Sequence, residues 1–143
     1  MKKIVCFSKG LVMSFKILVM GLSGSGKTTL SKQLCDVLDA EHINADEIRE
    51  KYNDWDFSSE GRIRQARRIH KLSIDSDKDY VVMDFICPLK ESRDIVDADY
   101  IIWMNTIDSS KFNDTDQVFV PPKKAHIVTD FNYNIHNLIK KLI

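Results

Sequence analysis

The chain has 143 residues, of which 43% are hydrophobic and 29% charged, enough apolar content for one core and too short for two ordinary domains. Twenty-one Lys and Arg balance 21 Asp and Glu, which argues against a broadly basic nucleic-acid surface, and no apolar run reaches the roughly 18 residues of a membrane span. Cys6, Cys35 and Cys87 are widely spaced and odd in number, fitting a reducing cytoplasm, and with His42, His70, His126 and His136 they form no metal-ligand spacing.

In chain order, Lys9 and Gly10 interrupt the short apolar stretch after Met-Lys-Lys, and no small-residue cleavage site follows, so a secretory signal is not expected. Residues 1–12 are expected to form a tail before a single domain over 13–143. Phe15 to Met20 is an apolar run of strand character. It leads into Gly21-Leu22-Ser23-Gly24-Ser25-Gly26-Lys27-Thr28, which matches G-x-x-x-x-G-K-[ST] at every fixed position. A helix is expected from Thr29 to Leu38, with Leu30, Leu34, Val37 and Leu38 on one face. Strand, glycine loop and helix together aim backbone N–H groups at a phosphate and add the partial positive charge of a helix N-terminus. In such a loop Lys27 reaches the β- and γ-phosphates and the Thr28 hydroxyl binds Mg²⁺. A dinucleotide loop of the G-x-G-x-x-G type is excluded, because Thr29 stands where its last glycine belongs.

Further on, a short strand is expected over Glu41–Ala45 and a short helix through Tyr52, with Asp46 as its N-cap. Ser58 and Ser59 precede a long helix in which Ile63, Ala66, Ile69 and Leu72 recur every third residue. Tyr80–Asp84 is a buried strand ending on an acid. Pro88 starts a short helix with Lys90, Glu91 and Arg93 on its wet side, and Tyr100–Met104 is another buried strand. Residues 105–122 are expected to be irregular, followed by a short strand over Lys124–Val128 and a helix over Asn132–Leu142. Strands with continuous apolar runs alternating with helices predict an α/β, three-layer fold of the P-loop NTPase type. Its parallel five-stranded sheet is covered by helices on both faces.

Several segments in this order resemble the adenylyl-sulfate kinase family, which transfers the γ-phosphate of ATP to the 3′-hydroxyl of adenosine 5′-phosphosulfate. The resemblance runs from about Lys16 to Pro122. Gly21 to Thr29 follow the family's G-L-S-G-x-G-K-[ST]-T, and Asn44 to Arg49 follow D-G-D-N-x-R, keeping its second acid and its arginine. Asp56-Phe57-Ser58 through Arg68 follow G-F-S-x-x-D-R-x-E-N-x-R-R, with Gln65 where the family has Asn. Asp84-Phe85-Ile86-Cys87-Pro88 align with S-F-I-S-P, and Phe112 to Pro122 align without gaps with F-T-G-I-D-x-P-Y-E-x-P, keeping Phe112, Asp116 and Pro122, with Phe119 in place of Tyr.

The resemblance implies an ATP site over Gly21, Leu22, Ser23, Gly24, Ser25, Gly26, Lys27, Thr28 and Thr29. It implies Asp46 as the group that orients the sugar hydroxyl and accepts its proton, with Lys27 as its catalytic partner. Arg49 and Arg62 would pair with the phosphosulfate, for which a planar guanidinium suits better than an ammonium. Phe57 and Phe112 would sandwich the substrate's adenine, with Gln65 and Ile86 completing the acceptor pocket. Mg²⁺ would be held by Thr28 and Asp46; Asp84 is expected in the layer behind, from its place at the end of a buried strand, where P-loop proteins commonly keep an acid directed at Mg²⁺. Family members are often dimers, which implies a homodimer.

Three departures stand out. Cys87 replaces a serine assigned in some members as a phosphoserine intermediate, so direct in-line transfer is the expected mechanism. Asp84 replaces a serine at the end of a buried strand. The family's basic lid is reduced to Asn105–Lys111, in which Lys111 is the only cation, so weaker ATP retention or slower turnover is expected. The shortened lid leaves two alternatives: a kinase of this architecture acting on another nucleotide or a sugar, or a nucleotide-binding module without turnover.

Overall fold

The computed structural model describes residues 4–6 and 11–142. Within the segment expected as a tail, β1 (Ile4–Cys6) pairs antiparallel with β2 (Leu11–Met13); the rest of 1–10 lies outside the described residues. Next come β3 (Phe15–Met20), α1 (Lys27–Leu38), β4 (Glu41–Asn44), α2 (Ala45–Tyr52), α3 (Ser59–Asp75), β5 (Tyr80–Asp84) and α4 (Lys90–Val96). The chain ends with β6 (Tyr100–Met104), α5 (Asn113–Val118), β7 (His126–Val128) and α6 (Ile135–Leu142).

Five strands form one parallel sheet in the order β4-β5-β3-β6-β7. This is the expected three-layer fold of the P-loop NTPase type. All six residues of β3 are buried, because helices cover both faces of the central strand. Its side chains alternate between two cores. Phe15, Ile17 and Val19 pack with Leu30 and Leu34 of α1 and Leu138 and Leu142 of α6. Leu18 and Met20 pack with Ala66 and Ile69 of α3 and Val96 of α4. Since β5 and β6 flank β3 on opposite sides, a crevice opens beyond its carboxyl end, where ligands bind in open parallel sheets.

The structure departs from the sequence expectations at several element ends. The N-cap of α2 is Asn44, whose side chain accepts the Glu47 N–H at 3.0 Å; Asp46 lies inside the first turn and its carboxylate is spared that task. Helix α4 begins at Lys90, two residues after Pro88. Its Arg93 is buried and donates through Nη1 to the Cys87 carbonyl oxygen at 3.0 Å, instead of facing solvent with Lys90 and Glu91. The stretch 105–122 contains α5. Strand β7 starts at His126, and α6 starts at Ile135 after Asn134 accepts the Asn137 N–H at 3.1 Å.

Helix α3 is capped as expected by Ser58, which accepts the Gly61 N–H at 3.2 Å. Gly61 presses against the Asp56 main chain so closely that an added Cβ would collide with the Asp56 carbonyl group. The loop 53–58 therefore lies flush on the first turn of α3. It is held there from outside by Asp54, which accepts Arg64 Nε and Arg68 Nη1, both at 2.7 Å.

Candidate functional site

The glycine loop joins β3 to α1 at the carboxyl end of the sheet. The Ser25 N–H bonds the Leu22 carbonyl at 3.1 Å and the Leu30 N–H bonds the Gly26 carbonyl at 3.1 Å, closing the loop onto the first turn of α1. Gly26 has φ +96°, a left-handed conformation that a side chain would strain. Lys27 Nζ donates to the Leu22 carbonyl at 3.0 Å, bending the lysine over the loop. Burial pushes the Lys27 ammonium below its usual range, and the nearby carboxylates of Asp84 and Asp46 oppose that shift.

Asp84 ends β5 and is 3% exposed. Its Oδ2 accepts the Thr28 hydroxyl at 2.7 Å and Asn44 Nδ2 at 3.0 Å, with His42 Nε2 at 3.3 Å. Sheet register explains the meeting, since Asn44 of β4 pairs with Asp84 of β5 and Asp84 pairs with Val19 of β3. Asn44 thus uses one amide atom to start α2 and the other to hold Asp84.

Asp46 and Arg49 sit three residues apart on α2 and share a face. Arg49 is 4% exposed and donates through Nη1 to the carbonyls of Asp54 and Asp56 at 2.9 and 3.3 Å. Burial lowers its pKa from the ordinary guanidinium value, with Asp54 pulling the other way. Arg62, also buried, donates through Nε to the Phe57 carbonyl at 2.8 Å and through Nη2 to the Thr115 hydroxyl at 3.3 Å. The guanidinium carbons of Arg49 and Arg62 lie 4.4 and 5.6 Å from the centre of the Phe57 ring, within cation–π range. One cavity of about 460 Å³ joins these groups: the glycine loop and Lys27–Thr29 form one wall, and Asp46, Arg49, Phe57 and Arg62 form another. Asp84 and Ile86 also line it.

Two of the expected acceptor residues do not line this cavity. Gln65 is fully buried behind it, donating Nε2 to the Ala45 carbonyl at 2.7 Å; its side chain ties α3 to the start of α2. Phe112 is half exposed, with Lys111 Nζ 5.2 Å from its ring centre. It is turned outward because Asp116 accepts the Ser110 N–H at 2.7 Å and the Ser110 hydroxyl at 2.6 Å, closing a tight loop around it. The cavity wall therefore has one aromatic ring flanked by two cations where a two-ring sandwich is expected. Cys87 is buried with its thiol pushed up to about 12 by desolvation.

His42, Asn44, Thr115 and Phe131 line or support the site without a role expected from the sequence, and Ala45, Phe85 and Pro88 line it as well. The sheet pairing of β4 with β5 would have flagged the first two. Thr115 falls in the stretch expected to be irregular, and Phe131 just before the last expected helix.

A hard cation fits this site. Thr28 offers a hydroxyl and Asp84 and Asp46 offer carboxylates, and Mg²⁺ commonly takes one or two carboxylates with water and substrate phosphates making up the rest. Among the described residues no group of three or more His, Cys, Asp or Glu is placed to hold a metal by itself. No helix among them is long and apolar enough to cross a membrane.

Comparison with known proteins agrees with this architecture. A family model described as an AAA domain matches residues 17–82, from β3 into β5. A probable adenylyl-sulfate kinase of Aeropyrum pernix is 29% identical over 102 residues, 64% of this chain and 52% of that protein; the match thus spans about half the length of the curated relative. The structure of the Mycobacterium tuberculosis APS kinase in complex with AMPPNP and APS superposes with TM-score 0.67 at 18% identity, covering 91% of this chain and 95% of that one. A gluconokinase from Sinorhizobium meliloti superposes with TM-score 0.61 at 15% identity, covering 90% and 89%. At these identities the structural likeness establishes a common fold.

Proposed function

We propose that this chain is a Mg²⁺-dependent phosphotransferase that moves the terminal phosphoryl group of ATP to the 3′-hydroxyl of adenosine 5′-phosphosulfate, giving 3′-phosphoadenylyl sulfate. The observation that carries the reading is the position of Asp46. Two carboxylates line the cavity that joins the phosphate cradle to the buried Arg49–Phe57–Arg62 group, Asp84 and Asp46; Asp84 is taken up by its bonds to Thr28 and Asn44, while Asp46 is close enough to Lys27 to raise that group's proton affinity.

Phosphoryl transfer asks a protein mainly for alignment and for neutralising charge. The glycine-loop N–H groups and Lys27 hold the triphosphate. Lys27 leaves the Leu22 carbonyl for the γ-phosphate when the nucleotide enters. Thr28, backed by Asp84, and Asp46 would hold Mg²⁺, which when bound neutralises charge across the β- and γ-phosphates. Arg49 and Arg62 pair with the acceptor's anionic group, their heads already aimed by carbonyl bonds and by the Phe57 ring. Asp46 orients the attacking hydroxyl and takes its proton as the oxygen bonds to phosphorus. Cys87, buried and protonated, takes no part, so the transfer is direct.

The phosphosulfate acceptor is supported by the ordered motifs and by the relative named as an adenylyl-sulfate kinase. A second reading, transfer to a small sugar-like acid, is favoured by one observation. Phe112 stands outside the cavity and cations already crowd the Phe57 ring, which leaves little aromatic surface for a purine. The deciding measurement is ADP release with Mg·ATP and separate acceptors: adenosine 5′-phosphosulfate, nucleoside monophosphates and gluconate. Release driven by the phosphosulfate, with Asp46→Asn slowing turnover by about 10²-fold or more while ATP still binds, is the expected result. Release driven only by a sugar acid replaces the acceptor and keeps the mechanism; ATP binding with no release under any acceptor removes the kinase reading.

A further inference from the structure

The connection 53–58 between α2 and α3 is bonded differently on its two sides. On the inner side it is main chain that bonds. The Asp54 and Asp56 carbonyls accept Arg49 Nη1 at 2.9 and 3.3 Å, and the Phe57 carbonyl accepts Arg62 Nε at 2.8 Å. The Phe57 ring lies against both guanidinium groups.

On the outer side it is carboxylates that bond. Arg64, on the solvent face of α3, donates Nε and Nη2 to the two oxygens of Asp54 at 2.7 and 3.1 Å, and Nη2 also to Asp56 Oδ2 at 3.1 Å. The same carboxylates shape the connection. Asp54 Oδ1 accepts the Asp56 N–H at 3.2 Å, and Asp56 Oδ1 accepts the Ser58 N–H at 2.9 Å. Arg68 joins on Asp54 at 2.7 Å, but among the described residues it is Arg64 that bridges Asp54 and Asp56. Its planar fork suits that task.

Exposed ion pairs usually contribute little to stability, and the Arg64 side chain is 44% exposed. What matters here is the main chain that the pair holds. Arg49 and Arg62 are 4% and 8% exposed. Burial works against the Arg49 charge, and so does the like charge of Arg62. Two such groups stay side by side only where fixed acceptors hold them. Three of those acceptors are carbonyls of a segment with no helix or strand of its own.

We propose that Arg64 is a positioning residue for the acceptor: by locking Asp54 and Asp56 to α3, it fixes the carbonyls that aim Arg49 and Arg62 and the place of the Phe57 ring in the cavity wall. The proposal rests on the reading of Arg49, Phe57 and Arg62 as the acceptor's end of the cavity. Arg64 does not line that cavity and acts only through the connection. Without it the connection takes several shapes and both guanidinium groups move with it. The acceptor then binds more weakly, while the glycine loop on the other wall keeps its nucleotide.

The test is steady-state ADP release by the full chain at saturating Mg·ATP with adenosine 5′-phosphosulfate varied, or gluconate if that is the acceptor that drives release. Equilibrium binding of Mg·ATP is measured alongside. Arg64→Ala raises the acceptor KM by about tenfold or more, with kcat within about threefold of wild type and Mg·ATP affinity unchanged. Arg64→Lys keeps the cation and a donor for one carboxylate, and recovers most of the loss. Arg67→Ala removes the same charge one turn along the exposed face of α3 and leaves the acceptor KM at the wild-type value. In a Trp103→Phe background the remaining tryptophan is Trp55, within the connection. Its fluorescence anisotropy falls in Arg64→Ala and holds in Arg67→Ala. A wild-type acceptor KM in Arg64→Ala overturns the proposal. An equal rise in Arg67→Ala does so too, since the effect would then be long-range attraction, as does an equal loss of Mg·ATP binding, since the damage would be general. Wild type whose ADP release no acceptor stimulates overturns the acceptor reading and the proposal with it; the anisotropy difference survives that failure and marks it as one of function and not of the clamp.

Discussion

Asp84 carries three bonds on one buried oxygen, to Thr28 of α1 and to Asn44 and His42 of β4. Removing that acceptor strands donors that water cannot easily reach, at about 1–3 kcal/mol. Asp84→Ala is therefore expected to lower stability by that amount in urea unfolding and to raise the Mg²⁺ concentration needed for nucleotide binding; unchanged Mg²⁺ dependence would remove Asp84 from the metal's surroundings. Cys87 behaves in the opposite way. With its thiol pushed up to about 12 and Cys35 to about 11, neither is a thiolate near neutrality. In a Cys6→Ser background, native protein at pH 8 is expected to react slowly with a disulfide reagent, and fast once unfolded. Much of this scale was readable in advance, because a phosphate loop announces itself by residue identity at fixed spacing. Phe131 and Thr115 were not readable, because their places depend on how two connections fold back over the cavity.

At the scale of elements, the apolar runs reported their own location. Tyr80–Asp84 and Tyr100–Met104 form strands with the expected bounds; β5 is buried from Val81 to Asp84, whereas in β6 only Ile102 and Met104 are fully buried. Element ends were harder, because a cap is a contest between neighbouring polar residues. Asn44 wins over Asp46 since its backbone is still extended when its side chain reaches Glu47. Asn44→Ala is expected to cost about 1 kcal/mol through the cap alone, more through the lost Asp84 bond, measured by denaturant unfolding. The loop 53–58 adds a pH dependence. Side-chain hydrogen bonds from Arg64, then Arg68, hold Asp54 well below the usual carboxylate range. A depressed folded pKa gives stability that is complete above the unfolded value of about 3.9 and is lost as pH falls through the folded value. Asp54→Asn should therefore lower stability at pH 7 and flatten the acid limb of the stability curve; parallel curves for the two proteins would contradict this.

For the whole molecule, strand order is what turns separate motifs into one cavity. The central strand β3 delivers the cradle, β4 and β5 deliver Asn44 and Asp84 beside it, and the loops after β6 and β7 close the far rim. The alternation of strands and helices made the layers legible. The order β4-β5-β3-β6-β7 was not, since apolar runs carry no label of their neighbours. The segment 105–111 holds a single lysine where a charged lid would exclude water. ATP is thus expected to bind with a higher KM than in a lidded enzyme measured alongside, and some ADP should form with no acceptor present, water taking the acceptor's place. Strict coupling of ADP release to acceptor consumption would show that the shortened connection seals the cavity after all.

The contact between Gly61 and Asp56 has a consequence for how this sequence can vary. The nearest obstructing atom is the Asp56 carbonyl oxygen, which any residue there would carry, so no exchange at position 56 makes room for a larger residue at 61. In a saturation library selected for function, position 60, an exposed Glu next door, should accept nearly every amino acid while position 61 accepts none but the original. Such an invariant site would arise with no chemical role of its own, and a catalogue of constrained positions would rank it beside Lys27 for a wholly different cause.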